Sequence, residues 1–433
     1  MIFFLLFSAI FLKPRARTLY SACTVPFGII DYHGVFSMPH VDKTDRNTLI
    51  ELSHAYGRDP RWVIAGGGNT SCKTERTLTI KASGTSLGTL GESGLVDLNR
   101  DRLQLLFEKT YADDEAQRER EALDDLMNAR ADGQADRRPS VETLMHEVLP
   151  QKFVVHTHPT LVNGLTCAAN GERVARELFG DDLLWVPVVK PGYILGIEIH
   201  NRVAAFRSAH DKAPWLILLA NHGLVVAGDT ADEIHERQKA VIEAIASRIP
   251  VEIGTSPLRD TTADLVVQNS SQARRVADWT TVVQRALQSS ELKNPVIAFD
   301  TDANFQQFGD SSDPLSEALR LPFTPDHLVY ALRTPIIARQ TASDHLPTMV
   351  KRFRSEHGKL PRVVIVPGLG AFGVSASEAV SKAAAALALD ALLIHRYAQS
   401  AGGPVFMPDE QIRFIEGWEV ERFRLKASEE ATK

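Results

Sequence analysis

The chain has 433 residues, 44% of them hydrophobic and 24% charged. Those proportions suit a globular protein of two or three domains and exclude disordered, collagen-like and disulfide-stapled classes. Forty-eight basic against 54 acidic side chains give a formal charge of −6, which argues against a broad nucleic-acid footprint.

In chain order, the first feature is MIFFLLFSAIFL, followed by Lys13, Arg15 and Arg17. The run is too short to span a bilayer, and a signal peptide carries its positive charge before the apolar run, not after it. The competing readings are a start placed too far upstream, with Met38 the alternative, a signal peptide or short anchor, and an ordinary packed segment. TDRNTLIELSHAY then predicts a helix over Thr44 to Tyr56 with Asp45 or Thr44 as N-cap. WVIAGGGNTS reads as a short strand running into a glycine turn, and TLTIKASGTSL as a strand ending in Ser-Gly-Thr. The charge-dense stretch from Tyr111 to Arg138 reads as a solvated helix and loop.

PSVETLMHEVL predicts a helix from Pro139 and Ser140, and FVVHTHP a buried strand. LILLANHGLVVAG is an apolar strand broken at Asn221-His222-Gly223, with the helix TADEIHERQKAVIEAIASRI after it. Residues 251–290 are polar and poorly periodic, as in a linker. Beyond them come strands in NPVIAFD and RVVIVPG, an Ala-rich helix from Ser375 to about Tyr397, and the aromatic segment FIEGWEVERF. An offset of 145 places Gly223, Leu224, Gly228 and Glu233 on Gly368, Leu369, Gly373 and Glu378. A degenerate duplication is expected, and it sets Pro367 where the first copy has His222.

Chemistry concentrates at His156-Thr157-His158. On a strand, residues i and i+2 share a face, so two imidazoles can reach one metal at roughly 2.0–2.1 Å. His222 ends a second apolar strand directly before a glycine. Three neutral imidazoles leave a coordination position open, as in a catalytic zinc site. Glu142 lies fourteen residues before His156, and is either a general acid/base beside the metal or a residue favoured by the helix dipole. His146, one turn later, either orients Glu142 or packs. Gly66-Gly67-Gly68-Asn69-Thr70-Ser71, Ser83-Gly84-Thr85 and Ser140 offer amides and hydroxyls of the kind that cradle phosphate, whereas no Gly-Lys-Ser/Thr of a P-loop follows. Gly368 to Gly373 is a literal G-x-G-x-x-G, but a long helix follows and Asp390 lies inside it, which is wrong for a dinucleotide fold. Cys23, Cys72 and Cys167 show no C-x-x-C spacing, so neither a disulfide framework nor a thiolate zinc site is expected, and a reducing, cytoplasmic setting fits.

Taken in order, GGGNTS, KASGT, PSVETLMH, HTHP and LANHGLVVAG resemble the class II aldolase/adducin family over roughly residues 44–250. VPGLGAFG and FIEGWEVERF resemble the second half of the aldolase portion of bifunctional rhamnulose-1-phosphate aldolase/short-chain dehydrogenase proteins. The resemblance implies a three-layer αβα fold with a mixed, largely antiparallel central sheet and a smaller C-terminal α/β region. The expected division is an N-terminal extension over 1–38, a catalytic domain over 39–250, a connecting region over 251–290, and a C-terminal region over 291–433. It further implies one Zn²⁺ per subunit on His156, His158 and His222, with Glu142 as catalytic acid/base. Gly68, Asn69, Ser83, Gly84 and Ser140 would surround a substrate phosphate.

The implied reaction is cleavage of a ketose 1-phosphate, L-rhamnulose 1-phosphate in the first instance, to dihydroxyacetone phosphate and L-lactaldehyde. The implied assembly is a homo-oligomer, commonly a tetramer, with no nucleic-acid partner and no stable membrane span. In the bifunctional proteins a dehydrogenase domain follows, so with the sequence ending at Lys433 no reductase activity is expected. Family aldolases often carry two serines before the Glu, and here the second is Val141. The alternatives are fuculose-phosphate aldolase and a methylthioribulose-phosphate dehydratase, the latter keeping Glu and three histidines. Sugar-phosphate 4-epimerases typically carry Asp at the Glu142 position, and adducin-like scaffolds lose the histidines.

Overall fold

The computed structural model describes residues 41–249, 270–288, 292, 294–301 and 313–430. The N-terminal extension, Met38, Cys23 and residues 251–269 of the connecting region lie outside them.

Seven strands make one sheet: β1 (Asn69–Lys73), β2 (Thr77–Lys81), β3 (Leu95–Asn99), β4 (Phe153–Thr157), β5 (Leu183–Val186), β6 (Leu216–Leu219) and β7 (Gly223–Gly228), in the order β3-β2-β1-β4-β7-β6-β5. All neighbours are antiparallel except β5 and β6. Eight helices connect and cover them: α1 (Lys43–Gly57), α2 (Arg100–Glu108), α3 (Glu115–Asn128), α4 (Thr143–Val148), α5 (Thr160–Thr166), α6 (Gly171–Phe179), α7 (Tyr193–His210) and α8 (Ala231–Arg248). Because strand side chains alternate between faces, Phe153, Val155, Leu216 and Leu218 pack beneath α1, α5, α6 and α8. Val154, Ile217 and Leu219 pack beneath α4 and α7, and α2 and α3 extend that second layer over β2 and β3. Burial on both faces accounts for unbroken apolar runs such as LILL, where a half-exposed strand would alternate. The architecture is the three-layer αβα fold with a mixed, largely antiparallel sheet.

Several local expectations are corrected. The cap of α1 is Asp42, whose carboxylate accepts from Asp45 N at 2.8 Å, not Asp45 or Thr44. Residues 62–68 form turns, and the strand begins only at Asn69. Pro139 is spent on a bridge to Ala82, so α4 starts at Thr143 with Glu142 at its cap position. The connecting region contains a 19-residue helix, α9 (Ser270–Gln288), which buries Trp279, Val283, Ala286 and Leu287.

A second sheet holds β8 (Val296–Asp300), β9 (Ile336–Ile337), β10 (Val363–Val366) and β11 (Gly370–Ser375) in the order β8-β11-β10-β9. Its antiparallel, antiparallel, parallel succession is that of β4-β7-β6-β5. Hairpin β6–β7 pairs Leu216 with Val226 and Leu219 with Gly223; β10–β11 pairs Val363 with Gly373 and Val366 with Gly370. Leu216 thus corresponds to Val363 and Gly223 to Gly370, an offset of 147 and not the 145 suggested by aligning glycines. The two-residue difference has a backbone cause: Asn221 (φ 54°) and Gly368 (φ 68°) fill the same left-handed turn position. His156, which faces Val225, corresponds to Phe299, which faces Phe372. By the same registers His158 corresponds to Thr301 and His222 to Leu369.

The remaining helices are α10 (Asp313–Ala318), α11 (Leu346–His357), α12 (Glu378–Gln399), α13 (Asp409–Gly417) and α14 (Glu419–Glu430), with a π-helical turn at His327–Ala331. Helix α12 serves both cores. Its Leu393, Tyr397 and Ala398 join the cluster under α5, while Leu387 and Ile394 join that of the second sheet. Within α12, Asp390 accepts from Thr160 Oγ1, and His327 Nε2 lies 3.1 Å from its other oxygen. Among the described residues no helix is long and apolar enough to cross a membrane.

The contact of α5 with α12 is close enough to require glycine. A Cβ on Gly164 would sit 2.4 Å from Tyr397 Cβ, and both atoms are fixed to helix backbones, so no rotamer relieves the clash. Gly164→Ala gains ~1 kcal/mol of helix propensity but incurs about 1–3 kcal/mol of overpacking. A net loss of stability, read as a lower thermal midpoint, is expected; a raised midpoint would show that the two helices separate freely.

Candidate active site

His156 is the penultimate residue of β4, His158 follows the strand end, and His222 sits in the β6–β7 turn beside it. Their ring centroids are 4.7, 5.0 and 5.2 Å apart, and their ligating nitrogens all lie within 4.8 Å of one another. His156 donates from Nδ1 to the Leu224 carbonyl at 2.9 Å, and His158 donates from Nδ1 to Asp326 Oδ2 at 2.6 Å. Both Nε2 atoms therefore present lone pairs, and these face each other at 2.9 Å. Two lone pairs at that separation repel unless a proton or a cation lies between them, and an all-imidazole donor set suits a zinc-type ion. Burial lowers the His158 pKa, against the pull of Asp326, which favours the neutral ring that a metal needs.

Glu142 approaches the same point. Its Oε1 is 3.1 Å from His222 Nε2 and 3.5 Å from His156 Nε2. Burial alone would raise its pKa, but positive charge on the His156 and His222 side of the carboxyl holds it well below the usual range. Its other oxygen accepts from Asn69 Nδ2 at 2.5 Å. With that nitrogen committed, the Asn69 carbonyl oxygen must accept from His146 Nε2, and His146 Nδ1 accepts from Ser71 Oγ at 2.7 Å. Burial keeps His146 neutral, with its pKa well below the ordinary value. The His146 ring thus orients the Glu142 carboxylate through Asn69, while the His146 backbone N–H donates to the Glu142 carbonyl at 3.4 Å.

Gly68, Asn69, Ser83, Gly84 and Ser140 line one small cavity of about 40 Å³ together with Glu142, His158 and His222. His156, fully buried, lies behind it. The Ala82–Pro139 bridge and the bond from Ser83 N to Arg138 O (2.7 Å) draw the Ser83-Gly84 turn beside Ser140. Val141, the departure from a Ser-Ser pair, lines the same cavity. A larger cavity of about 710 Å³, lined in part by Leu328, Arg362 and Ser375, contains none of the expected site residues.

Four charged residues at the site escaped the sequence reading: Lys81, Asp326, Glu421 and Arg424. Lys81 immediately precedes Ala-Ser-Gly-Thr and donates to Thr85 O at 2.8 Å, with burial lowering its pKa to about 8. Glu421 and Arg424 belong to α14, at the end of the aromatic segment. Asp326 had no local signal. Burial would raise its pKa, yet the Arg424 charge and His158 hold it far below the usual carboxylate range.

The sequence model of the class II aldolase and adducin N-terminal domain matches residues 47–247. A methylthioribulose-1-phosphate dehydratase of Sorangium cellulosum is 30% identical over 215 residues, which cover 46% of this chain and 85% of that protein. The protein named uncharacterized oxidoreductase YuxG of Bacillus subtilis is 27% identical over 409 residues, 87% of this chain, and the chain spans only 58% of its length. The N-terminal class II aldolase domain of a conserved protein from Thermoplasma acidophilum is 27% identical, with a TM-score of 0.41 and coverage of 48% of this chain and 96% of that one. An L-fuculose 1-phosphate aldolase is 17% identical, with a TM-score of 0.32 and coverage of 50% and 92%. The chain belongs to the class II aldolase and adducin family.

Proposed function

We propose that the chain is a zinc-dependent aldolase that cleaves a ketose 1-phosphate, L-rhamnulose 1-phosphate in the first instance, to dihydroxyacetone phosphate and L-lactaldehyde. The observation that carries this reading is the convergence of three imidazole nitrogens and the Glu142 carboxylate at one end of a cavity edged by Gly68, Asn69, Ser83, Gly84 and Ser140.

His156, His158 and His222 would hold the ion, one per subunit. Bound there, a divalent cation supplies electrophilic stabilisation of the negative charge that develops on substrate oxygens as the carbon–carbon bond breaks. Glu142, held ionised and aimed by Asn69, moves the proton at the cleaved carbon. The Gly84 amide and the Ser83 and Ser140 hydroxyls hold the phosphate, with Asn69 and Gly68 forming the adjacent wall. Buried Lys81 adds positive charge on that side.

The same reading assigns catalysis to residues 39–250, a connecting role to 251–290 and support to the α/β region over 291–433. It describes a cytoplasmic homo-oligomer acting on a small phosphorylated sugar. A second reading, dehydration of methylthioribulose 1-phosphate, is favoured by the Sorangium relative.

The test is release of dihydroxyacetone phosphate from L-rhamnulose 1-phosphate, with and without a chelator, with zinc per chain counted in the same sample. Chelator-sensitive release is expected. Zinc without release would shift the substrate to L-fuculose 1-phosphate or methylthioribulose 1-phosphate. The absence of both zinc and release would defeat the proposal.

A further inference from the structure

We infer that Asp326, contributed by the C-terminal region, is a positioning residue for the histidine cluster: it fixes the tautomer and ring orientation of His158 and thereby sets how tightly the cluster holds a metal. The inference rests on the metal reading above and extends it to a part of the chain outside the family match at 47–247.

The pair is direct and dry. His158 Nδ1 and Asp326 Oδ2 are 2.6 Å apart, with side chains 8% and 3% exposed. Its counterpart His156 is served by a neutral backbone carbonyl, that of Leu224. His158 therefore has the acceptor that carries a full charge, and a carboxylate on the far nitrogen of a ligating imidazole locks the ring and raises its basicity.

The backbone makes room for this contact. A Cβ on Gly67 would lie 2.4 Å from Asp326 Oδ2 and 3.0 Å from His158 Nδ1. The middle glycine of Gly66-Gly67-Gly68 is thus required by the carboxylate–imidazole pair, a need separate from cradling phosphate.

Asp326 is also held from both sides. Its Oδ1 is gripped by Arg424 Nη2 from α14. The residue after it, His327, accepts at Nδ1 from Thr324 Oγ1 at 2.7 Å and lies against Asp390, which in turn binds Thr160, two residues past His158. Asp326 stands directly before the π-helical turn His327–Ala331, an irregularity of the kind that recurs at functional sites. A carboxylate restrained at both oxygens, on a segment tied back to the histidine strand, has the rigidity that positioning demands.

The test uses the full chain and reads metal binding directly. Zinc affinity is measured by competition with a chromophoric chelator, and the visible spectrum is recorded after cobalt(II) substitution. Asp326→Asn keeps the shape and removes the charge. Zinc affinity is expected to fall by about 10–100-fold, with a shifted cobalt spectrum. Gly67→Ala, which pushes the carboxylate off the ring while leaving the Asp326 charge in place, is expected to move affinity in the same direction and serves if the first variant folds poorly. Affinity within twofold of wild type in a folded variant, with an unchanged cobalt spectrum, overturns the inference and leaves the metal reading standing. A wild-type chain that binds neither zinc nor cobalt overturns both.

Discussion

Glu142→Gln is expected to lower turnover by ~10²-fold or more, the contribution of a lost general acid/base, while zinc per chain stays at the wild-type value. The substitution is nearly isosteric, so packing at the start of α4 is preserved. What changes is the hydrogen-bond logic. Asn69 Nδ2 donates to Glu142 Oε2, and the Asn69 carbonyl is already committed to His146. A glutamine can satisfy Asn69 only by presenting its oxygen there, which turns its NH₂ group toward His222 and His156, where the carboxylate had offered an acceptor. Reversing the amide instead sets two NH₂ groups against each other. Either way no group that can take up and release a proton remains on the reacting side, but the three imidazoles that would hold the ion are intact. The comparison is of kcat for dihydroxyacetone phosphate release with zinc content in the same preparations. Near-normal turnover would reduce Glu142 to a residue favoured by its place at a helix start.

His222→Ala is expected to abolish both zinc retention and activity with the fold intact. The ring supplies one of only three imidazole nitrogens in the cluster, and its loss leaves two ligands on one strand end with no third arm across the site. The turn itself should persist, because Asn221 anchors it independently: Nδ2 donates to Phe323 O at 3.0 Å and to Val405 O at 2.7 Å. Metal analysis and a thermal melt separate the two effects. Full zinc occupancy in a folded variant would remove His222 from the set of ligands.

The placement of the histidines was legible because each stands at the end of an apolar run that can only be a buried strand, and strand ends gather at a sheet edge. The glycine turn and the Ser83-Gly84 turn were legible as turns because small and hydroxylic residues favour them, and the structure brings both to the cavity that Ser140 also lines. Boundaries were less so. Pro139 was read as opening a helix, whereas it forms an isolated bridge with Ala82, and that choice depends on a residue 57 positions away. The helix at 270–288 was missed because its apolar positions are spread among polar ones and become a face only against α11 and the second sheet. Asp326 was beyond reach altogether. It is separated from His158 by 168 residues, and a lone Asp after Pro325 has the same appearance as any turn aspartate. Long-range partners of this kind are specified by the packing of α12 and α14, which no local period encodes.

The recurrence of β4-β7-β6-β5 as β8-β11-β10-β9 separates inheritance of a frame from inheritance of its equipment. One polypeptide holds two copies of a four-strand arrangement in the same register, and in the second copy Phe299, Thr301 and Leu369 occupy the places of the three imidazoles. Strand order, turn geometry and the left-handed residue before each hairpin return are thus indifferent to whether the donors are present. The backbone arrangement therefore does not depend on the imidazoles, and the sheet without them braces the sheet that carries them through α12, whose residues lie in both cores.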